Sequence, residues 1–322
     1  METPSQENHL PPPRRWHVKM KVALKVLFLL IVFIAGFGGG YFAGRQSVQL
    51  DASQAESDSE NRINALADEI NPPDGYRIPA TFGDVGPQLL AAGGIDFDQF
   101  VALYQQAGRP LNEQQIAILT TGSNEQIVIN RDNAQFLLNF LWALGLTNQN
   151  PVLSEGPMMD NAQGQIGNYA STGGWTLGTK PATELYASTQ IVSLTAEQQT
   201  RLVEVASSVF RPCCDNPTHF PDCNHGMAML GLLELMASQN ASVNAMFEAA
   251  KYVNAFWFPQ QMLETAIYFN ATQNVSFTDA DARLVVGQAA FSGSGFRSVH
   301  QWLADNGLLE QAPSGGGSCG VQ

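Results

Sequence analysis

Between Arg211 and Met227 the chain carries Cys213, Cys214, Cys223, His219 and His225, so three of its four cysteines and two of its five histidines share one short stretch. Sulfur and imidazole packed this densely suit a transition-metal site or a reactive thiol centre. Cys213, Cys214, Cys223 and His225 are the candidate ligands. The fourth cysteine, Cys319, follows Gly315, Gly316 and Gly317 on a tail from 311 to 322 and is a candidate mobile ligand. Cysteine with histidine suits zinc, whereas adding thioether sulfur suits copper. Met227, Met229, Met236 and the pair Met158 and Met159 keep copper open, although methionines spaced among leucines more often fill core gaps. The cysteine spacing is that of neither a standard zinc finger nor a c-type haem site.

Two other readings of the same residues stay open. Outside the cytoplasm an even cysteine count points first to disulfides, so Cys213 or Cys214 pairs with Cys223 in a stapled scaffold for a protein partner. Alternatively, a thiol oxidoreductase uses the reactive thiol directly. A helix starting near Asp222 puts Cys223 and His225 in its first turn, where the positive end of the helix dipole favours a thiolate. Cys223, Met227, Leu230 and Glu234 then fall close to one helix face. His219 and His300 are weaker ligand candidates, each ordinary for a loop or core histidine.

The elements that must position these residues read as helices. Helical periodicity with caps covers 96–107, 111–119, 132–144, 195–210, 224–239, 242–258, 260–269, 279–291 and 298–306. Thr195 and Gln198 stand at capping-box spacing, and Thr278 is a plausible cap for 279–291. Alternating strand patterns are almost absent. The expected fold class is therefore mostly α, a helical domain over 76–310. Residues 147–181 lack a long periodic element and serve either as cover for the cysteine site or as a seam between two helical subdomains.

The start of the chain places that domain. Val26 to Gly44 carries no charge and is long enough to approach a bilayer span, after a basic segment at 1–25. The positive-inside rule puts the N-terminus in the cytoplasm and the main domain outside, as a single-pass membrane protein. The segment 45–75 is polar and reads as a stalk. Gly36, Gly40 and Gly44 share one helix face and offer a contact for a homodimer.

The 322 residues are 44% hydrophobic and 14% charged, with a net charge of -13. No basic stripe with interleaved aromatics follows Arg45, which argues against nucleic-acid binding. Neither a nucleophile elbow, nor a phosphate loop, nor a calcium loop is present. No residue is assigned to catalysis. The expectation is an extracytoplasmic domain that binds zinc or copper through Cys213, Cys214, Cys223, His225 and Cys319.

Overall fold

Two helices that are apolar on every side must be buried, and the rest of the fold is arranged to bury them. The structure, a computed structural model, describes residues 61–309. In chain order its elements are helix α1 (61–70), strand β1 (Tyr76–Gly83), α2 (Val85–Ala92), α3 (Phe97–Gln106), α4 (Glu113–Thr120) and strand β2 (Ser123–Ile129). Then come α5 (Ala134–Thr147), α6 (Pro151–Ser154), α7 (Pro157–Ala162), a 3-10 turn (Ile166–Asn168), α8 (Ala170–Gly173) and α9 (Ala182–Leu185). The C-terminal half holds α10 (Ala196–Ala206), α11 (Asn224–Ser238), α12 (Val243–Trp257), α13 (Pro259–Gln273), α14 (Ala282–Val285), α15 (Gln288–Phe291) and α16 (Gly293–Asp305).

The central pair is α5 against α11, the most extensive helix–helix contact among the described elements. Every residue from Phe136 to Thr147 and from His225 to Ala237 is buried. Two glycines allow the axes to approach. A methyl group on Gly145 would lie 2.1 Å from the Met227 carbonyl oxygen, and one on Gly231 would lie 2.4 Å from that of Leu141. Cys223 caps α11, so this packing fixes the position of the cysteine loop.

The expected helices are present, and their ends follow side-chain caps. Thr195 and Gln198 form the capping box that starts α10, and Asp96, Ser242 and Ser292 cap α3, α12 and α16. Two boundaries differ from expectation. The stretch 279–291 is two single turns, α14 and α15, because Gly287 is extended between them, and Asp281 rather than Thr278 provides the cap. Helix α16 begins at Gly293 instead of 298, because Ser292 Oγ accepts from the Gly295 amide.

A two-stranded antiparallel sheet, β1 with β2, was also not expected. Its alternation is present in the sequence as Ile78, Ala80 and Phe82 facing Ile127 and Ile129, all buried. Pro79 and the register shifts on either side of Thr81 break the pattern. In 147–181 the chain forms short helices tied to the core. Trp142 Nε1 donates to the Ser171 carbonyl at 2.6 Å, and Trp175 Nε1 to that of Gly94 at 2.9 Å.

Arg62 opens a single compact unit. Helix α1, from the segment read as a stalk, buries Ala67 and Ile70 in the core. Among the described residues no helix is long and apolar enough to cross a membrane. The span expected at 26–44, its glycine face and the tail with Cys319 lie outside the described residues.

Candidate metal centre

The cysteine loop folds back on itself before it reaches α11. The Thr218 amide and hydroxyl both donate to the Val209 carbonyl, and the His219 amide donates to that of Ala206. This closure brings Cys213 and Cys214 over the start of α11, where Cys223 is the N-cap and its Sγ accepts from the Gly226 amide at 3.4 Å. The three sulfurs lie within 4.8 Å of one another, close enough to bind a metal ion. The sulfurs of Cys213 and Cys223 are 3.5 Å apart, and all three cysteines are free thiols. Metal–thiolate bonds of about 2.3 Å put sulfurs about 3.8 Å apart in a tetrahedral site, so the spacing suits ligation with small side-chain adjustments.

At the centre of the loop is Arg211, only 2% exposed. Its Nε donates to Cys223 Sγ at 2.9 Å, its Nη1 to the Asn216 carbonyl at 2.9 Å, and its Nη2 to the Phe220 carbonyl and the Asp222 carboxylate. Asn216 Nδ2 donates to the other Asp222 oxygen at 2.8 Å, and the Cys214 thiol reaches Asp222 Oδ1 at 3.6 Å. The guanidinium lies against Gly226 in the first turn of α11. Only glycine fits beneath it, because a methyl group on Gly226 would sit 2.5 Å from Arg211 Cζ. Beyond the loop, the Gly293 amide donates to the Cys214 carbonyl at 2.7 Å, and Asp215 accepts from the Ser294 amide at 2.6 Å. The start of α16 therefore braces Cys214.

The thiols divide into one favoured thiolate and two favoured thiols. Hydrogen bonding from Cys213 and Cys214, helped by Arg211, holds Cys223 well below the usual thiol range against its burial. Hydrogen bonding to Cys214 and Cys223 pushes Cys213 up. For Cys214 the Cys213 thiol pulls down, but Cys223 and burial prevail and take it up to about 11. Ligation requires all three as thiolates, so binding a metal ion would release protons.

No family model, curated protein or solved structure matches this chain.

The other sequence candidates lie as follows. His225 begins the same helix turn, but its ring packs on Phe258 and Trp257, with centroids at 4.5 and 5.6 Å. The cluster within 4.8 Å consists of the three sulfurs alone among the described residues. Burial takes the His225 imidazole down to about 4, so it is neutral at physiological pH. His219 is half-buried, and its pKa is lowered by that burial. His300 pairs through Nδ1 with Glu264 at 2.7 Å. Met158, Met227, Met229 and Met236 are buried in the core, as gap-filling methionines are. Reading the sequence missed Arg211, Asp222 and Asn216. One signal was available: Arg211 is the only lysine or arginine between Arg201 and Lys251.

Proposed function

We propose that this chain is a membrane-anchored, extracytoplasmic metal-handling protein that takes up zinc or copper through Cys213, Cys214 and Cys223. The observation that carries the reading is the convergence of three sulfurs on one point. Structural zinc sites are closed four-ligand cages, whereas sites that exchange ligands keep an open position. Here Cys213 is exposed, so its side of the cluster is open to solvent and to an incoming ligand. A thiol from a donor or acceptor can enter there and replace the protein's sulfurs one at a time. Cys319 supplies the fourth ligand in this reading, and His225 is a further ligand only if its ring leaves Phe258 and Trp257. The N-terminal span, with its basic residues before it, supports placing the domain outside the cytoplasm.

Elemental analysis with thiol counting on protein purified without chelator tests this. About one zinc or copper per chain is expected, with Cys213, Cys214 and Cys223 resisting alkylation until a chelator is added. A metal-free native protein holding a complete Cys213–Cys223 disulfide would overturn the reading. Deleting Ala312 to Gln322 should leave the fold intact and weaken metal retention if Cys319 is a ligand.

A second reading is thiol redox chemistry, favoured by the Arg211 contact that steadies a thiolate at Cys223 beside Cys213. Electrophoretic thiol trapping after exposure to a disulfide reagent separates the two. A redox protein cycles between dithiol and disulfide with full recovery and without metal.

A further inference from the structure

The donor set of the cysteine loop is sulfur and nothing else. Among the described residues, no imidazole nitrogen or carboxylate oxygen joins Cys213, Cys214 and Cys223 in the group that fits within 4.8 Å. The harder donors nearby are committed elsewhere. Asp222 Oδ1 comes to 3.6 Å from Cys214 Sγ, but it accepts from Arg211 Nη2, and Oδ2 accepts from Asn216 Nδ2. His225 is buried, with its ring on Phe258 and Trp257. The three sulfurs are also held from outside the cluster. Cys223 caps α11, and the Gly293 amide fixes the Cys214 carbonyl, which places Cys213 next to it in the chain.

Number and softness together select the ion. Zinc almost always takes four ligands in a tetrahedron, so three sulfurs leave it one short. Copper(II) prefers nitrogen and oxygen in a tetragonal array, and the loop offers neither among the described residues. Copper(I) is soft, prefers thiolates, and has a complete coordination sphere with three of them in a plane. Such a centre carries two negative charges. Arg211 opposes that charge directly, because its Nε donates to Cys223 Sγ at 2.9 Å while its Nη2 holds Asp222. Water reaches the remainder at exposed Cys213.

We propose that Cys213, Cys214 and Cys223 form a three-coordinate, all-thiolate site selective for copper(I) over zinc, which makes this chain a carrier of monovalent copper. The inference rests on the metal reading of the cluster and narrows its ion. Copper arrives as copper(I) and leaves as copper(I), so no electron is transferred. Each sulfur that still carries a proton releases it to water as its bond to copper forms, and the ligands of the donor depart. A fourth ligand is then a requirement of zinc and not of copper.

The test uses the full chain carrying Cys319→Ser, in detergent and without oxygen, so that only the loop supplies thiols. Offered zinc and copper(I) in equal amounts, this protein should take up copper alone. X-ray absorption at the copper edge should show three sulfurs and no nitrogen. Adding Cys213→Ser changes only an exposed side chain; the melting temperature should hold, and copper should pass to bathocuproine disulfonate at least about tenfold more readily. Uptake of zinc beside copper, a copper sphere other than three sulfurs, or unchanged retention in the Cys213→Ser protein would each overturn the selectivity and leave the broader metal reading standing. So would failure of the Cys319→Ser chain to hold copper when the parent does. If the parent, with Cys319 in place, retains neither ion, the metal reading falls as well.

Discussion

Arg211 Nε donates to Cys223 Sγ at 2.9 Å from a guanidinium that is only 2% exposed. A buried cation of this kind is stable only with charge and acceptors around it. Asp222, Cys223 and two loop carbonyls provide them. The loop's fold and its chemistry thus depend on one side chain, which both closes the turn and steadies the sulfur that caps α11.

Arg211→Met should be strongly destabilising. It leaves Asp222 and the loop carbonyls without their donor, and breaking a buried ion pair costs about 3 kcal/mol or more. Chemical denaturation should show that loss, together with loss of metal retention. A change under about 1 kcal/mol would mean that the guanidinium is incidental to the loop.

Cys223→Ser separates the cap from the ligand. Serine is a good N-cap, so its Oγ should accept from the Gly226 amide and keep α11 intact. We expect stability within about 1 kcal/mol of the parent, with bound metal lost. Retained stoichiometric metal would remove Cys223 from the ligand set.

Gly226→Ala tests the close approach of guanidinium and helix. The added methyl group meets Arg211 Cζ and Nη2 at 2.5 Å. Either the guanidinium leaves Cys223 or the helix shifts, at a cost of about 1–3 kcal/mol. Thermal melts should show it, whereas an unchanged melt and metal content would show that the contact yields freely.

Glu234 gives the domain a pH dependence remote from the sulfurs. It is fully buried, with Asn148 Nδ2 donating to Oε2 at 3.1 Å and Oε1 unpartnered. Burial raises its pKa well above the ordinary 4.5, against the opposing pull of Asn148. Below the unfolded value both states keep the proton, and the group costs nothing. As pH rises past it, the unfolded chain releases a proton that the fold retains, and stability falls until the folded pKa is reached. Glu234→Gln should therefore match the parent in acid and exceed it at neutral pH, the gap growing by up to about 1.4 kcal/mol per pH unit across that window. Parallel stability curves from acid to neutral pH would show that Glu234 is ionised in the fold.

The amino-acid sequence by itself determined the helical class, because apolar periodicity and caps such as Thr195 with Gln198 are local signals that short-range hydrogen bonds enforce. It also located the sulfur-rich loop, since Cys213, Cys214 and Cys223 are near neighbours along the chain. It did not reveal the strand pair, because Pro79 and the register shifts blur an alternation that is completed only by pairing as distant as Tyr76 with Ile129. Nor did it reveal the role of Arg211: an arginine in a turn looks like any solvated charge until the loop closes over it. His225 marks the same limit. Helical spacing set it beside Cys223, but tertiary packing turned its ring onto Phe258 and Trp257. Side-chain direction at a helix start depends on what the neighbouring helices leave open, and that is decided by the packing of α5, α11, α12 and α13 rather than by residue order.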